Sequence, residues 1–291
     1  MPIRKEQTEN ISTMLTLPGM KIVIAHTPDP DDSFMFYGMF EHKIKTHYEY
    51  EQVVKDIETL NKESVRELYD VTAISANGYA AVSDKYYLTT SGASFGLNYG
   101  PIVVAKDKID LKNAKIATPG FLTSSHLLYR MFAPEPGNGF VETRFDKIPE
   151  AVLTGKVDAG ILIHDEQLTY QKRGLVKVFD VYDAWKKFAG ALPVPLGFNA
   201  IKKSLGKEVA MNYKEDFENS IKYAMQNEDD AVKYSLKYAR YADMELERKF
   251  IRMYVNDLSI DFGKEGREAL SKYYNRATEM HLLAKVNLEI I

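Results

Sequence analysis

Cysteine is missing from all 291 residues. Disulfides, thiolate metal centres and cysteine nucleophiles are therefore excluded, and a cytoplasmic location fits. No apolar stretch approaches the roughly 20 residues that span a bilayer, so no membrane partner is expected. The opening MPIRKEQTENISTMLTLPGM lacks the continuous apolar segment of a secretory signal. Residues 1–20 read as a loose extension ahead of the first strand, with Met14 or Met20 as alternative starts. Neither sign of charge dominates: 38 Lys and Arg meet 41 Asp and Glu, for a net charge of −3. That balance gives no electrostatic footprint for nucleic acid. No internal repeat or low-complexity tract stands out. The glycine-dense stretch 90–101 carries neither the P-loop nor the dinucleotide-binding glycine pattern, so nucleotide binding there is rejected; Gly100–Pro101 reads instead as a turn back into a sheet.

What is present is an alternation of short apolar runs and helical patterns. Residues 21–25, 48–54, 71–74, 102–105, 115–117, 141–145 and 157–163 read as strands. Helical patterns follow from Asp31, over 56–68, from Ser75 through Val82, over 123–131, and over 148–153 with Gly155 as a left-handed stop. Strands alternating with short helices predict βαβ units and a mostly parallel sheet. Beyond Ala200 the pattern becomes helical, over 201–241 and 245–255, with packed apolar faces and no evident chemistry. The expected organisation is two-lobed: residues 1–106 and 201–291 in a large lobe, 107–200 in a small one. The chain would cross near Ala105–Asp107 and return near Pro195–Gly197, where Pro193, Pro195 and Gly197 suit a hinge. A ligand cleft is expected between the lobes.

Three strand-to-helix junctions would face that cleft: 27–33, 75–77 and 118–125. Helix N-termini offer unpaired amides to a carboxylate. In the third junction one hydroxyl of Thr123, Ser124 and Ser125 is expected to cap the helix, leaving the others for a ligand. Asp29, Asp31 and Asp32, with Asp165 and Glu166, form an acidic set; without a second nearby histidine, turn and capping roles outrank a metal site. His26 and His126 sit near junctions as helpers or as packed residues. His164 ends the apolar run 157–163, where the carboxyl ends of strands line a crevice. Its imidazole suits a proton carrier near neutral pH; a hydrogen-bonded core histidine is the other reading.

Several segments together resemble the 1,4-dihydroxy-6-naphthoate synthase family. They are Gly160–Ile161–Leu162–Ile163–His164 with Leu168–Thr169–Tyr170 and Gly174–Leu175, then Leu192–Pro193–Val194–Pro195–Leu196–Gly197, then Tyr254–Val255–Asn256 with Gly263 and Glu265–Gly266. Ser91–Gly92, Gly100–Pro101, Pro119–Gly120 and Asp146 with Ile148 also fall in the family's order. The resemblance implies an α/β, two-lobed fold similar to type II periplasmic binding proteins, with mixed, mostly parallel sheets and flanking helices. It implies a lyase of menaquinone biosynthesis by the futalosine route, converting cyclic dehypoxanthinyl futalosine to 1,4-dihydroxy-6-naphthoate without a cofactor or metal. It carries the role of general base to His164, which we expect a neighbouring carbonyl or carboxylate, such as that of Asp165, to orient. Substrate contacts fall on Ser75, Thr123 and Ser124, with Ala73 and Ile74 beside them; Asp31, Asp32 and Asn77 are further cleft residues. The sequence departs from the family where its Asn–Asp pair becomes Asp31–Asp32, and where its lysine becomes Ala73. The rival expectations are a chorismate dehydratase-like lyase and a non-catalytic binding protein for a carboxylated small molecule.

Overall fold

A computed structural model describes residues 19–238 and 243–291. All but Gly19 and Met20 of the expected N-terminal extension, and Ala239 to Tyr241 of the expected helix over 201–241, lie outside them. The chain opens with β1 (Lys21–His26), α1 (Pro30–Phe40), β2 (Glu49–Val54), α2 (Ile57–Ser64), β3 (Val71–Ser75), α3 (Ala76–Ala80), β4 (Tyr86–Leu88) and β5 (Ser94–Gly96). It continues through β6 (Ile102–Ala105), β7 (Ile116–Thr118), α4 (Ser124–Phe132), β8 (Phe140–Glu142), α5 (Ile148–Leu153), β9 (Ala159–Leu162), α6 (Glu166–Thr169), β10 (Val176–Asp180) and α7 (Val181–Ala189). It returns along β11 (Val194–Lys202) and finishes with α8 (Lys207–Gln226), α9 (Glu228–Ser235), α10 (Met244–Tyr254), α11 (Asp257–Ile260) and α12 (Gly263–Glu279).

Two sheets result. The first runs β2-β1-β3-β11-β4, with β5 also on β11; the second runs β10-β6-β9-β7-β8. Pairing is parallel within the βαβ units, β1 with β2 and β3, and β7 with β8 and β9. It is antiparallel wherever β6 or β11 takes part. The sheets are therefore mixed, and the expected parallel bias holds only inside the βαβ units; β6 and β11 are the first strands after each passage between the sheets.

Those pairings also locate the crossings. β6 already lies in the second sheet, so the chain crosses before Ile102 rather than near Ala105–Asp107. The return comes before Val194, and the segment expected to be a hinge at Pro195–Gly197 is a strand with a bulge between those residues. A bulge accommodates Pro195, which has no N–H for a regular ladder.

Other differences have local causes. Ile201 and Lys202 belong to β11, paired with β3 and β4, not to a helix. The helix expected over 201–241 starts only at Lys207 and breaks at Asn227, whose side-chain amide donates to the Tyr223 carbonyl at 2.9 Å. The strand expected over 141–145 stops at Glu142, and a tight helical turn over Phe145–Lys147 follows. β4, β5 and β10 escape detection because they are short, and β10 shows little burial to give an apolar run.

α1 is buried along nearly its whole length, which explains its apolar, non-amphipathic sequence. Pro30 at its first turn is preset for a helix start. Phe36 stacks on Phe217 of α8 with centroids 4.2 Å apart. Gly38 lets α8 close in: a Cβ there would sit 2.9 Å from the Ser220 Cα. Packing thus fixes the helix whose N-terminus carries Asp31 and Asp32.

Candidate active site

A cleft opens between the sheets. Eight of the sequence-predicted residues line it: Asp31, Asp32, Ala73, Ile74, Ser75, Thr123, Ser124 and His164. They arrive from the start of α1, the end of β3, the start of α4 and the segment after β9. Asn77 and Asp165 are not among the lining residues. Asn77 instead donates to the carbonyls of Phe121 at 2.9 Å and Thr123 at 3.3 Å, so it holds the loop before α4.

His164 follows β9 with φ 55°, a left-handed conformation that few non-glycine residues adopt. Phe145 meets its ring edge-on, with centroids 4.9 Å apart. Both ring nitrogens are buried and neither has a hydrogen-bond partner. The expectation of a hydrogen-bonded core histidine therefore fails. The carboxylate beside it is Asp29, not Asp165: Asp29 Oδ2 lies 3.4 Å from Nδ1. Asp165 starts α6, and its neighbour Glu166 turns away to Arg173 at 3.2 Å.

Ser75 is held by Asn61 of α2. Its backbone N–H donates to Asn61 Oδ1 at 2.9 Å, and its Oγ accepts from Asn61 Nδ2 at 3.0 Å. An Oγ that accepts from an amide keeps its own proton for another partner. At α4 the hydroxyls divide their tasks. Thr123 is the cap: its Oγ1 donates to the Gly120 carbonyl at 2.7 Å and accepts from the His126 amide at 3.3 Å. Ser124 Oγ donates to the Leu196 carbonyl of β11. Both hydroxyls expected to contact substrate are thus engaged within the protein. What α4 presents is Ser125 Oγ, 3.0 Å from Thr123 Oγ1, and the first-turn amides, which have no intrahelical partner. Ala73 and Ile74 contribute apolar wall.

The carboxylates of α1 differ in their surroundings. Asp32 Oδ2 accepts from both the amide and the hydroxyl of Thr27, at 2.9 and 2.8 Å. Burial still raises its pKa, against the pull of His26 and Thr27. Asp31 is pushed well above the ordinary carboxylate range by burial and then by Asp32 and Asp29. Among the described residues no group of three or more His, Asp or Glu is arranged to hold a metal ion. His26 and His126 are packed residues. His26 is fully buried against Phe36 and Phe40, and His126 lies edge-on to Phe121 and Phe140.

Thr27, at the start of the first predicted junction, lines the cleft as well, whereas sequence reasoning gave no cleft role to three polar lining residues, Ser94, Gln167 and Tyr254. Tyr254 ends α10, and its hydroxyl accepts from Gln167 Nε2 at 3.3 Å. Its helix shows only an amphipathic pattern; the one sequence signal was its place in the Tyr254–Val255–Asn256 stretch.

Residues 22–279 match the family described as Menaquinone biosynthesis. The chain belongs to that family. A protein from Thermus thermophilus, named 1,4-dihydroxy-6-naphtoate synthase, is 32% identical over 90% of this chain and 95% of its own. Among solved structures, a protein from Archaeoglobus fulgidus is 45% identical, with TM-score 0.87 over 90% of this chain and 98% of that one. The ligand-binding component of an ABC-type import system from Staphylococcus aureus shares only 12% identity but has TM-score 0.69 over 92% of this chain and 94% of that one. The fold of this menaquinone-biosynthesis family member is therefore that of periplasmic binding proteins, two lobes about a cleft, and the family makes it an enzyme of menaquinone biosynthesis. No helix among the described residues is long and apolar enough to cross a membrane.

Proposed function

We propose that the protein is a carbon–carbon lyase that converts cyclic dehypoxanthinyl futalosine to 1,4-dihydroxy-6-naphthoate, with His164 as general base. The observation that carries this reading is His164 itself: an imidazole whose Nδ1 faces Asp29 and whose Nε2 has no partner, in a left-handed backbone conformation, on the wall of the cleft. Unsatisfied groups and left-handed non-glycine residues persist where function needs them. Nδ1 beside Asp29 leaves Nε2 to take the substrate proton, and the Asp29 carboxylate then faces the imidazolium it would stabilise. Ser75 Oγ and the first amides of α4 supply donors for the substrate carboxylate and for developing enolate-like charge. The relatives' printed name supports the product; the residues above support the proton transfer.

The test is incubation of the purified protein with cyclic dehypoxanthinyl futalosine, followed by mass spectrometry. The expected outcome is stoichiometric 1,4-dihydroxy-6-naphthoate. Binding of the substrate with no product would reject the lyase in favour of a solute-binding role, which the likeness to importer components supports at the level of fold.

A further inference from the structure

Three carboxyl groups crowd the start of α1. Asp29, Asp31 and Asp32 are 2%, 6% and 8% exposed, yet no lysine or arginine lines the cleft they adjoin. Their local partners are unequal. Asp32 accepts two hydrogen bonds from Thr27, and Asp29 faces His164 Nδ1. Asp31 lines the cleft; its Oδ2 accepts a long hydrogen bond from Ser94 Oγ at 3.4 Å, and its Oδ1 is buried and has no hydrogen-bond partner. The ionisable groups around it are Asp29 and Asp32 on its own segment and His26 at the end of β1. His164 and Asp165 follow β9, Tyr99 follows β5, Tyr213 lies on α8 and Tyr254 on α10. Nothing in that set offers Asp31 a fixed positive charge.

We infer that Asp31 meets the substrate as a neutral carboxylic acid, its Oδ2 accepting from Ser94 and its Oδ1–H donating to an acceptor oxygen of the substrate. This makes Asp31 a specificity-determining residue, and it rests on the lyase reading for the identity of the ligand. The physical reason is local. A third buried anion within one helical turn of two others is strongly disfavoured, and Asp31, which faces no cation and has a buried oxygen without a partner, is the carboxyl that keeps its proton. A buried hydroxyl without an acceptor is also unfavourable, so the empty direction of Oδ1 is where a substrate oxygen belongs. A substrate lacking an acceptor there would be rejected, since it would leave this donor unpaired.

Two measurements test the inference. Difference infrared spectroscopy of the ligand-free protein at neutral pH is expected to show a protonated-carboxyl band that Asp31→Asn removes. Calorimetric titration with 1,4-dihydroxy-6-naphthoate at rising pH is expected to show wild-type affinity falling about tenfold or more once Asp31 ionises. Asp31→Asn, isosteric and uncharged, should bind within about threefold of wild type and lose that dependence, while Asp31→Leu should bind about tenfold more weakly at every pH. Absence of the band, or an Asp31→Asn protein with the wild-type pH dependence, overturns the inference. Turnover without either signature upholds the lyase and rejects the neutral donor. Both signatures without turnover uphold the donor and reject the lyase.

Discussion

At the scale of single residues, the cleft is organised around His164 and its φ of 55°. A left-handed residue other than glycine costs roughly 1–2 kcal/mol, and asparagine tolerates that conformation best. His164→Asn should therefore fold with an unchanged circular-dichroism spectrum and equal or higher melting temperature, while turnover drops by about two orders of magnitude or more. Near-normal turnover would dismiss the base. Asp29→Asn probes the orienting group: kcat should fall about tenfold with KM little changed, because the carboxylate acts on the imidazolium formed in the reaction rather than on bound substrate. A change confined to KM would show Asp29 to be a binding residue. His164 was legible in the sequence because it closes an apolar run. Asp29 was not legible as its partner, since β1 and β9 lie in different sheets and only tertiary packing brings their ends together. The sequence therefore pointed to the adjacent Asp165.

At the scale of elements, the start of α4 shows what pattern reading resolves and what it misses. A run of three hydroxyls after a Pro–Gly turn marks the cap, but not which oxygen each hydroxyl reaches. Thr123 and Ser124 turn to Gly120 and Leu196, and Ser125 is left on the cleft wall. His126, in the same first turn, looked able to reach the site. Its ring is instead packed between Phe121 and Phe140, with Nδ1 3.2 Å from Thr118 Oγ1. Burial, aided by Arg130, lowers its pKa to about 4, below the roughly 6.5 of an unfolded chain. Between those values the unfolded chain binds a proton that the folded chain does not. The contribution is therefore complete above about pH 6.5 and is lost as the pH falls toward 4, a span of at most about 3 kcal/mol. His126→Gln removes the titration and keeps a polar partner for Thr118. Urea midpoints measured from neutral to mildly acid pH should fall less steeply for the variant than for wild type. Equal slopes would show that other groups govern the acid limb.

At the scale of the whole molecule, the question is whether the lobes swing. A two-lobed chain with Pro193, Pro195 and Gly197 at its return suggests a hinge, and closure around substrate would follow. The packing argues for a cleft that is already formed. Leu127, Leu128 and Met131 of α4 and Val181 and Trp185 of α7 share one buried cluster with Ile74, Tyr79, Phe198 and Tyr273, which flank the first sheet. Trp185 is fully buried, and its Nε1 donates to the Leu192 carbonyl at 2.7 Å. Polar ties run the same way. Asn61 donates to the Leu122 carbonyl at 3.2 Å, and Glu58 accepts from the Leu122 amide at 3.2 Å. Even Gly120 is held close, since a Cβ there would lie 2.2 Å from the Glu58 Cδ. A wide opening would expose that shared apolar surface at about 25 cal/mol per Å² and break these bonds together. Small-angle scattering with and without 1,4-dihydroxy-6-naphthoate should therefore give radii of gyration within about 1 Å, the scale of backbone motion in preorganised complexes. A contraction of several ångströms would show that α4 and α7 slide on the first sheet. The geometry of His164 and Asp31 would then have to be rederived from the closed state.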